Sequence, residues 1–98
     1  MIRHMIFWDL ADPDVDRGEL ETFLKATFDP MVGAVPGLRC AHIGFDQGMG
    51  THAVGLCCDL DSLEALAAYQ DYPPHVAFKS WAKEHFKTRC CVDLEVSE

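Results

Sequence analysis

No run of about 18 consecutive apolar residues occurs in this 98-residue chain, so the sequence offers no candidate for a membrane-crossing helix. Positive charge is scarce: 8 Lys and Arg stand against 16 Asp and Glu, for a formal charge of −8. Nucleic-acid grooves and anionic membrane surfaces both need clustered cations, so neither is an expected partner. The five cysteines, Cys40, Cys57-Cys58 and Cys90-Cys91, form no CxxC or Cys/His metal pattern. Their odd number and the lack of metal spacing suit reduced, mostly buried thiols. No Walker loop, GxGxxG, GxSxG or HExxH is present. The first ten residues hold Asp9 and no small-residue cleavage site, so a signal peptide is not expected and the cytoplasm is the expected location. The length excludes a Rossmann dehydrogenase or a TIM barrel and fits one domain over residues 1–98.

What the chain does have is apolar residues, at 49%. A domain this small buries only roughly 60–65% of the surface its unfolded chain exposes. The surplus points to a subunit interface, a ligand pocket, or both.

Residues 2–10 alternate, with Ile2, His4, Ile6, Trp8 and Leu10 on one face and Arg3, Met5, Phe7 and Asp9 on the other. Apolar groups on both faces mark a strand covered on both sides. From 16 to 32 the period becomes helical, with an apolar stripe from Leu20 to Val32 and Asp14 or Asp16 as cap. Residues 38–47 and 51–60 read as strands joined by the glycine-rich link 46–50. In the second of these, His52, Val54, Leu56 and Cys58 share a face. Asp61 and Glu64 suggest a capped helix start, with Leu63, Leu66, Ala67 and Gln70 inward and Tyr69 at the edge. Pro73-Pro74 interrupts it, and a further helix from about 75 to 85 would face Ala77 and Trp81 inward. Residues 87–96 alternate again.

The order β-α-β-β-α-β is the α+β, ferredoxin-like arrangement: a four-stranded antiparallel sheet with helices on one face. The uncovered face, apolar in strand 1, is then expected to meet a second copy, as a homodimer through the sheet face. Strands 3 and 4 flanking strand 1 would hold the two cysteine pairs about 9–10 Å apart, too far for a disulfide.

The segment Tyr69-Gln70-Asp71-Tyr72-Pro73-Pro74-His75 carries the chemistry of interest. Pro74 suits the first helical position, which puts His75 in the first turn, where the helix dipole disfavours imidazolium. A neutral His75 and the Tyr69 hydroxyl could supply a base and an oxyanion donor for proton abstraction beside a carbonyl; the residues alone favour the plainer alternative, that the two pack and satisfy each other. His4 and His52 fall on apolar faces of adjacent strands, where ligand contact or core hydrogen bonding is favoured over metal. Asp93 interrupts an apolar strand and either faces solvent or holds a histidine tautomer. His42 and His85 read as surface groups.

Several segments are shared with a known family. They are Met1-Ile2-Arg3-His4 before an apolar strand, Val35-Pro36-Gly37-Leu38 with Gly44, and Asp61-Ser62-Leu63-Glu64-Ala65-Leu66 through Tyr69. Pro73-Pro74-His75-Val76-Ala77-Phe78 and Val92-Asp93-Leu94-Glu95 complete the set. In this order and spacing, over nearly the whole chain, they resemble the stress-responsive A/B barrel (Dabb) domain. That resemblance implies a ferredoxin-like protomer that dimerises through its sheet into an α+β barrel. Most members have no assigned activity. One plant branch contains a polyketide cyclase that performs an intramolecular aldol condensation without cofactor. By motif, its base and tyrosine fall on His75 and Tyr69, its supporting carboxylate on Asp93, and its pocket histidines on His4 and His52. Where the family usually has His-Pro-x-His, this chain has Tyr72-Pro73-Pro74-His75, so a role for the first histidine does not carry over.

The expectation is a Dabb-domain homodimer whose small pocket binds a hydrophobic or aromatic molecule. It needs neither cofactor nor metal and, if catalytic, performs lyase or cyclase chemistry. The ligand pocket is expected to include His4, His52, Tyr72, Trp8 and Trp81. The alternatives are a non-catalytic stress-response dimer and a cofactor-independent monooxygenase, the latter suggested by Trp8 and Trp81.

Overall fold

The computed structural model describes residues 1–97. Its elements are β1 (Ile2–Leu10), α1 (Arg17–Phe28), β2 (Leu38–Phe45), β3 (Val54–Leu60), α2 (Leu63–Asp71), α3 (Pro73–His85) and β4 (Phe86–Glu95). The strands form one antiparallel sheet in the order β2-β3-β1-β4. This is the α+β ferredoxin-like order, with the second helical segment divided at Tyr72 into α2 and α3.

Alternation along β1 and β3 builds the core. His4, Ile6, Trp8 and Leu10 of β1, and Val54, Leu56, Cys58 and Leu60 of β3, are buried; the apolar ones share one core with Leu20, Leu24 and Phe28 of α1, Tyr69 of α2 and Phe78 of α3, and His4 meets Tyr69. The opposite sheet face carries no helix. There Met5 pairs with Val92 and Arg3 with Leu94, and both β4 side chains stay more than 40% exposed. Arg3 and Asp59 form an ion pair across this face at 2.8 Å.

Local details depart from the sequence pattern for identifiable reasons. Asp16 caps α1 by accepting from Glu19 N at 3.0 Å. The helix stops at Phe28 rather than running to 32, because Pro30 cannot donate to it; residues Asp29–Met31 form a single 3-10 turn. The α2 cap is Ser62, accepting from Ala65 N, rather than Asp61, whose carboxylate instead binds Arg39 at 2.5 Å. Ala65 and Tyr69 therefore point inward, and Leu63 is 66% exposed. On α3 the buried residues are His75, Phe78 and Ala82, while Ala77 faces out and Trp81 is half-buried. Strand β3 begins only at Val54, which leaves Thr51 and His52 in the loop. Gly37 (φ +82°) brings β2 against α2, where a Cβ would lie 2.6 Å from that of Ala65. All five cysteines are free, but only Cys58 is buried; Cys90 and Cys91 lie on the uncovered edge strand and are exposed.

Candidate functional site

The junction between α2 and α3 aims His75 into the core. Tyr72 is extended (φ −63°, ψ 126°), ends α2 and starts α3. Its carbonyl accepts from the backbone N–H of both His75 and Val76 at 2.9 Å. Pro73 and Pro74 occupy the first two helical positions, where no intrahelical N–H partner exists to lose. His75, one position on, turns its ring under the helix and is 5% exposed. The ring lies against Tyr69 with centroids 4.1 Å apart. Burial, and then the nearby Lys79 ammonium, lower its pKa from 6.5 to about 4, so the imidazole is neutral at pH 7. His75 Nδ1 is the one buried side-chain polar atom among the described residues with no hydrogen-bond partner. Such orphans are rare in folded proteins.

His4 approaches from the sheet. It is 2% exposed, and its Nδ1 lies 2.5 Å from Asp93 Oδ1 on the neighbouring strand, its direct ladder partner. Asp93 thereby selects the tautomer with the proton on Nδ1 and leaves the lone pair on Nε2. The His4 ring meets Tyr69 edge-on at 6.0 Å, so the two histidines sit on either side of one tyrosine. Both line a cavity of about 270 Å³. Its body is apolar, made by Ile6, Trp8, Leu56, Phe78 and Phe86, and its rim carries Lys79, Lys83, Lys87 and Arg89.

The expected site residues are only partly brought together. Asp93 supports His4, not His75. Tyr69 is fully buried beneath the site, and its hydroxyl meets the Cys58 thiol at 3.8 Å, away from the cavity lining. Desolvation raises the pKa of both groups, that of Cys58 to about 12. Tyr69 thus supports two rings and presents no oxyanion donor to the cavity. Trp8 lines the cavity and packs on Phe86 at 5.0 Å. Trp81 lines a separate, smaller hollow with Leu10 and Leu20, and stacks on His85 at 4.3 Å. Tyr72 packs on the core outside the cavity.

His52 is on the other side of the sheet. Ala53 N donates to Trp8 O and Ala53 O accepts from Asp46 N, which breaks the strand alternation just before β3. The His52 ring then swings onto Phe7, with Nε2 3.4 Å from Cys90 Sγ. His4 and His52 therefore do not share a site.

His4, Cys91 and Asp93 also bring one ligand atom each within 4.8 Å of one another. The 2.5 Å separation of His4 and Asp93 is that of a hydrogen bond; two ligands of one tetrahedral zinc ion stand roughly 3.3 Å apart. Burial raises the Cys91 pKa, which favours the thiol over the metal-binding thiolate. The donor set fits a hydrogen-bonded dyad better than a metal centre.

The rim cations carry no motif that marks them in the sequence. Their signal is positional: half of the chain's eight Lys and Arg fall between 79 and 89, with Lys79 and Lys83 one helical turn apart.

No helix among the described residues is long and apolar enough to cross a membrane. The structure is similar to that of a dimeric ferredoxin-like protein of unknown function from Thermobifida fusca, 25% identical, with TM-score 0.80 over 97% of this chain and 90% of that one. A second similar structure is a dimeric ferredoxin-like protein of unknown function from Bacteroides fragilis, at 22% identity and TM-score 0.80, covering 97% of this chain and 95% of that one. A third is hydroxynitrile lyase from Passiflora edulis, at 13% identity and TM-score 0.79, covering 99% and 94%. No curated protein matches the sequence. The family model of the stress responsive A/B barrel domain matches residues 2–96, and the chain belongs to that family, Dabb.

Proposed function

We propose that this chain is a homodimeric small-molecule-binding protein that carries out cofactor-free proton transfer beside a carbonyl, as a lyase or cyclase. One observation carries this reading: two buried histidines, one backed by a carboxylate and one beside an ammonium, line the same apolar cavity. His4 has Asp93 at its back, which stabilises the imidazolium that forms when Nε2 takes a proton. His75 has no carboxylate, faces Lys79 and stays neutral. The two rings thus differ in their neighbours, and only His4 has the carboxylate support that a general base uses.

The base role expected of His75 therefore passes to His4, with Asp93 as its orienting group. The cavity-side proton on the substrate's α-carbon moves to His4 Nε2, and the electron pair moves to the carbonyl oxygen. The enolate carbon then bonds to a second carbonyl carbon, and the proton returns to the new alkoxide. His75 packs its neutral ring against the substrate at the wall, while its Nδ1 stays buried out of reach of the cavity. Tyr69 holds both rings in place. The lyase structure among the similar folds agrees with this class of chemistry at the level of fold alone.

The homodimer is proposed to form through the helix-free sheet face, where Met5, Phe7, Val92 and Leu94 are otherwise left against water. Both unknown-function structures described above are dimeric.

The enzymatic part is tested by proton exchange. 4-Phenyl-2-butanone in deuterated buffer is incubated with the protein, and loss of the α-proton signals is followed by NMR. The expected result is exchange well above the unfolded-protein control, reduced about 100-fold in His4→Ala, within the usual range for a general base. Exchange no faster than the control would leave the chain a non-catalytic binding protein.

A further inference from the structure

The chain is acidic, yet its cations are not evenly spread. Of the eight Lys and Arg, three pair with carboxylates: Arg3 with Asp59, Lys25 with Glu21 and Arg39 with Asp61. Arg17 sits over the Phe45 ring at 5.3 Å. The remaining four, Lys79, Lys83, Lys87 and Arg89, all line the cavity that holds His4 and His75. Among the described residues no carboxylate lines that cavity. Asp93 lies behind His4 and is committed to it, and Glu84 of α3 faces the separate hollow beside Trp81. Lys79 donates to the Gln70 carbonyl at 2.9 Å, which fixes its ammonium beside the opening without neutralising it.

The backbone is bent to make this rim. Phe7 opposes Cys90 and Asp9 opposes Lys87, so Thr88 and Arg89 share the place opposite Trp8 as a β-bulge. Thr88 has φ +56°, a left-handed conformation that a β-branched residue rarely adopts. Regular alternation would send Thr88 to the opposite face from Lys87 and Arg89. With the bulge, all three consecutive residues line the cavity. Bulges and strained residues of this kind occur where a side chain is re-aimed at a site.

We propose that the natural ligand is an amphipathic organic anion, a monocarboxylate whose apolar body fills the cavity while Arg89, Lys83 and Lys87 hold its carboxylate at the rim. This rests on the reading of the cavity as a binding site and names the class of ligand it takes. The volume sets the size of the body. A cavity of about 150 Å³ accepts benzene; one of about 270 Å³ accepts one ring with a short side chain. Arg89 supplies a planar fork that matches a carboxylate, and the two lysines add point charges.

The test is calorimetric titration of the full chain with three probes of one shape: 4-phenylbutanoate, 4-phenylbutanamide and 4-phenylbutylammonium. At low salt the acid is expected to bind about tenfold tighter than the amide, as charge-assisted hydrogen bonds require, and the amine weakest. In about 0.5 M salt the gap between acid and amide narrows to roughly threefold or less. Arg89→Gln and Lys83→Gln each weaken the acid about threefold to tenfold and leave the amide unchanged, whereas Lys25→Gln on α1 changes neither. Equal binding of acid and amide, or tighter binding of the amine, overturns the anion preference while the cavity remains a binding site. Binding of none of the three overturns the cavity as a binding site, and the anion preference with it.

Discussion

Replacing His75 by phenylalanine makes two opposite demands on the structure, both measurable without knowing a substrate. Phenylalanine keeps the ring contacts to Tyr69, Phe28 and Phe78. It removes the unpartnered Nδ1, whose burial costs about 1–3 kcal/mol. Phenylalanine also loses the ring's hydrogen bond to the Gln70 backbone and brings a larger ring, so at pH 7 the variant is expected to stay within about 1 kcal/mol of the native chain. It also removes a titration. His75 titrates at about 4 in the folded chain and near 6.5 when unfolded. Below 6.5 the unfolded state takes up a proton that the folded state refuses, so stability falls with pH until about 4. From pH 7 to pH 5 that loss is about 2 kcal/mol, and near pH 4 it reaches about 3 kcal/mol. Urea midpoints of both proteins at pH 7 and pH 5 give the double difference, in which the titrations of all other groups cancel. The native chain should lose about 2 kcal/mol more than the variant over this interval. Identical pH slopes would refute a buried neutral His75, and a variant destabilised by about 2 kcal/mol or more at pH 7, beyond the roughly 1 kcal/mol of one lost hydrogen bond, would refute the orphaned Nδ1.

Four further outcomes follow from the same geometry. Tyr69→Phe removes a hydroxyl whose partner is a thiol at 3.8 Å, so proton exchange into the ketone should change less than about threefold, and a loss like that of His4→Ala would restore Tyr69 as a direct donor. Asp93→Asn keeps the shape but not the charge behind His4, and should lower exchange by about 10- to 100-fold while calorimetric ligand affinity holds; unchanged exchange would separate Asp93 from the chemistry. Thr88→Gly relieves the left-handed conformation and should raise the thermal midpoint, by about 1 kcal/mol of stability, unless the bulge is absent in solution. Val92→Asp with Leu94→Lys should shift the sedimentation of a dimer to that of a monomer, and an unchanged dimer would place the interface on another surface.

The fold was legible because its signals are periodic. Strand β1 reads directly from the two-residue alternation of His4, Ile6, Trp8 and Leu10, and α1 from the stripe beginning at Leu20. The sequence places the α2 cap one position early, at Asp61; the pairing of Asp61 with Arg39 across the fold leaves that task to Ser62. No local pattern contains that long-range contact. In the site, the helix-start position of His75 follows from Pro73-Pro74 and Tyr72. The partnership of Asp93 with His4 depends on the register of β1 against β4, which joins residues 89 positions apart. Alternation puts His52 on the wrong face because residues 51–53 form a loop that does not alternate. The rim was missed because a β-bulge at Thr88 leaves no mark in the hydrophobic pattern.

The claim on which the account rests is that His4 and His75 face one cavity that a small molecule enters. Imidazole ¹⁵N–¹H correlation spectra of the labelled protein, recorded during titration with 4-phenylbutanoate, test it most directly. The expected result is that the ring resonances of His4 and His75 move together and saturate, while those of His42 and His85 stay in place. Saturation with both buried rings unmoved, or with movement confined to His52 on the opposite sheet face, would contradict it.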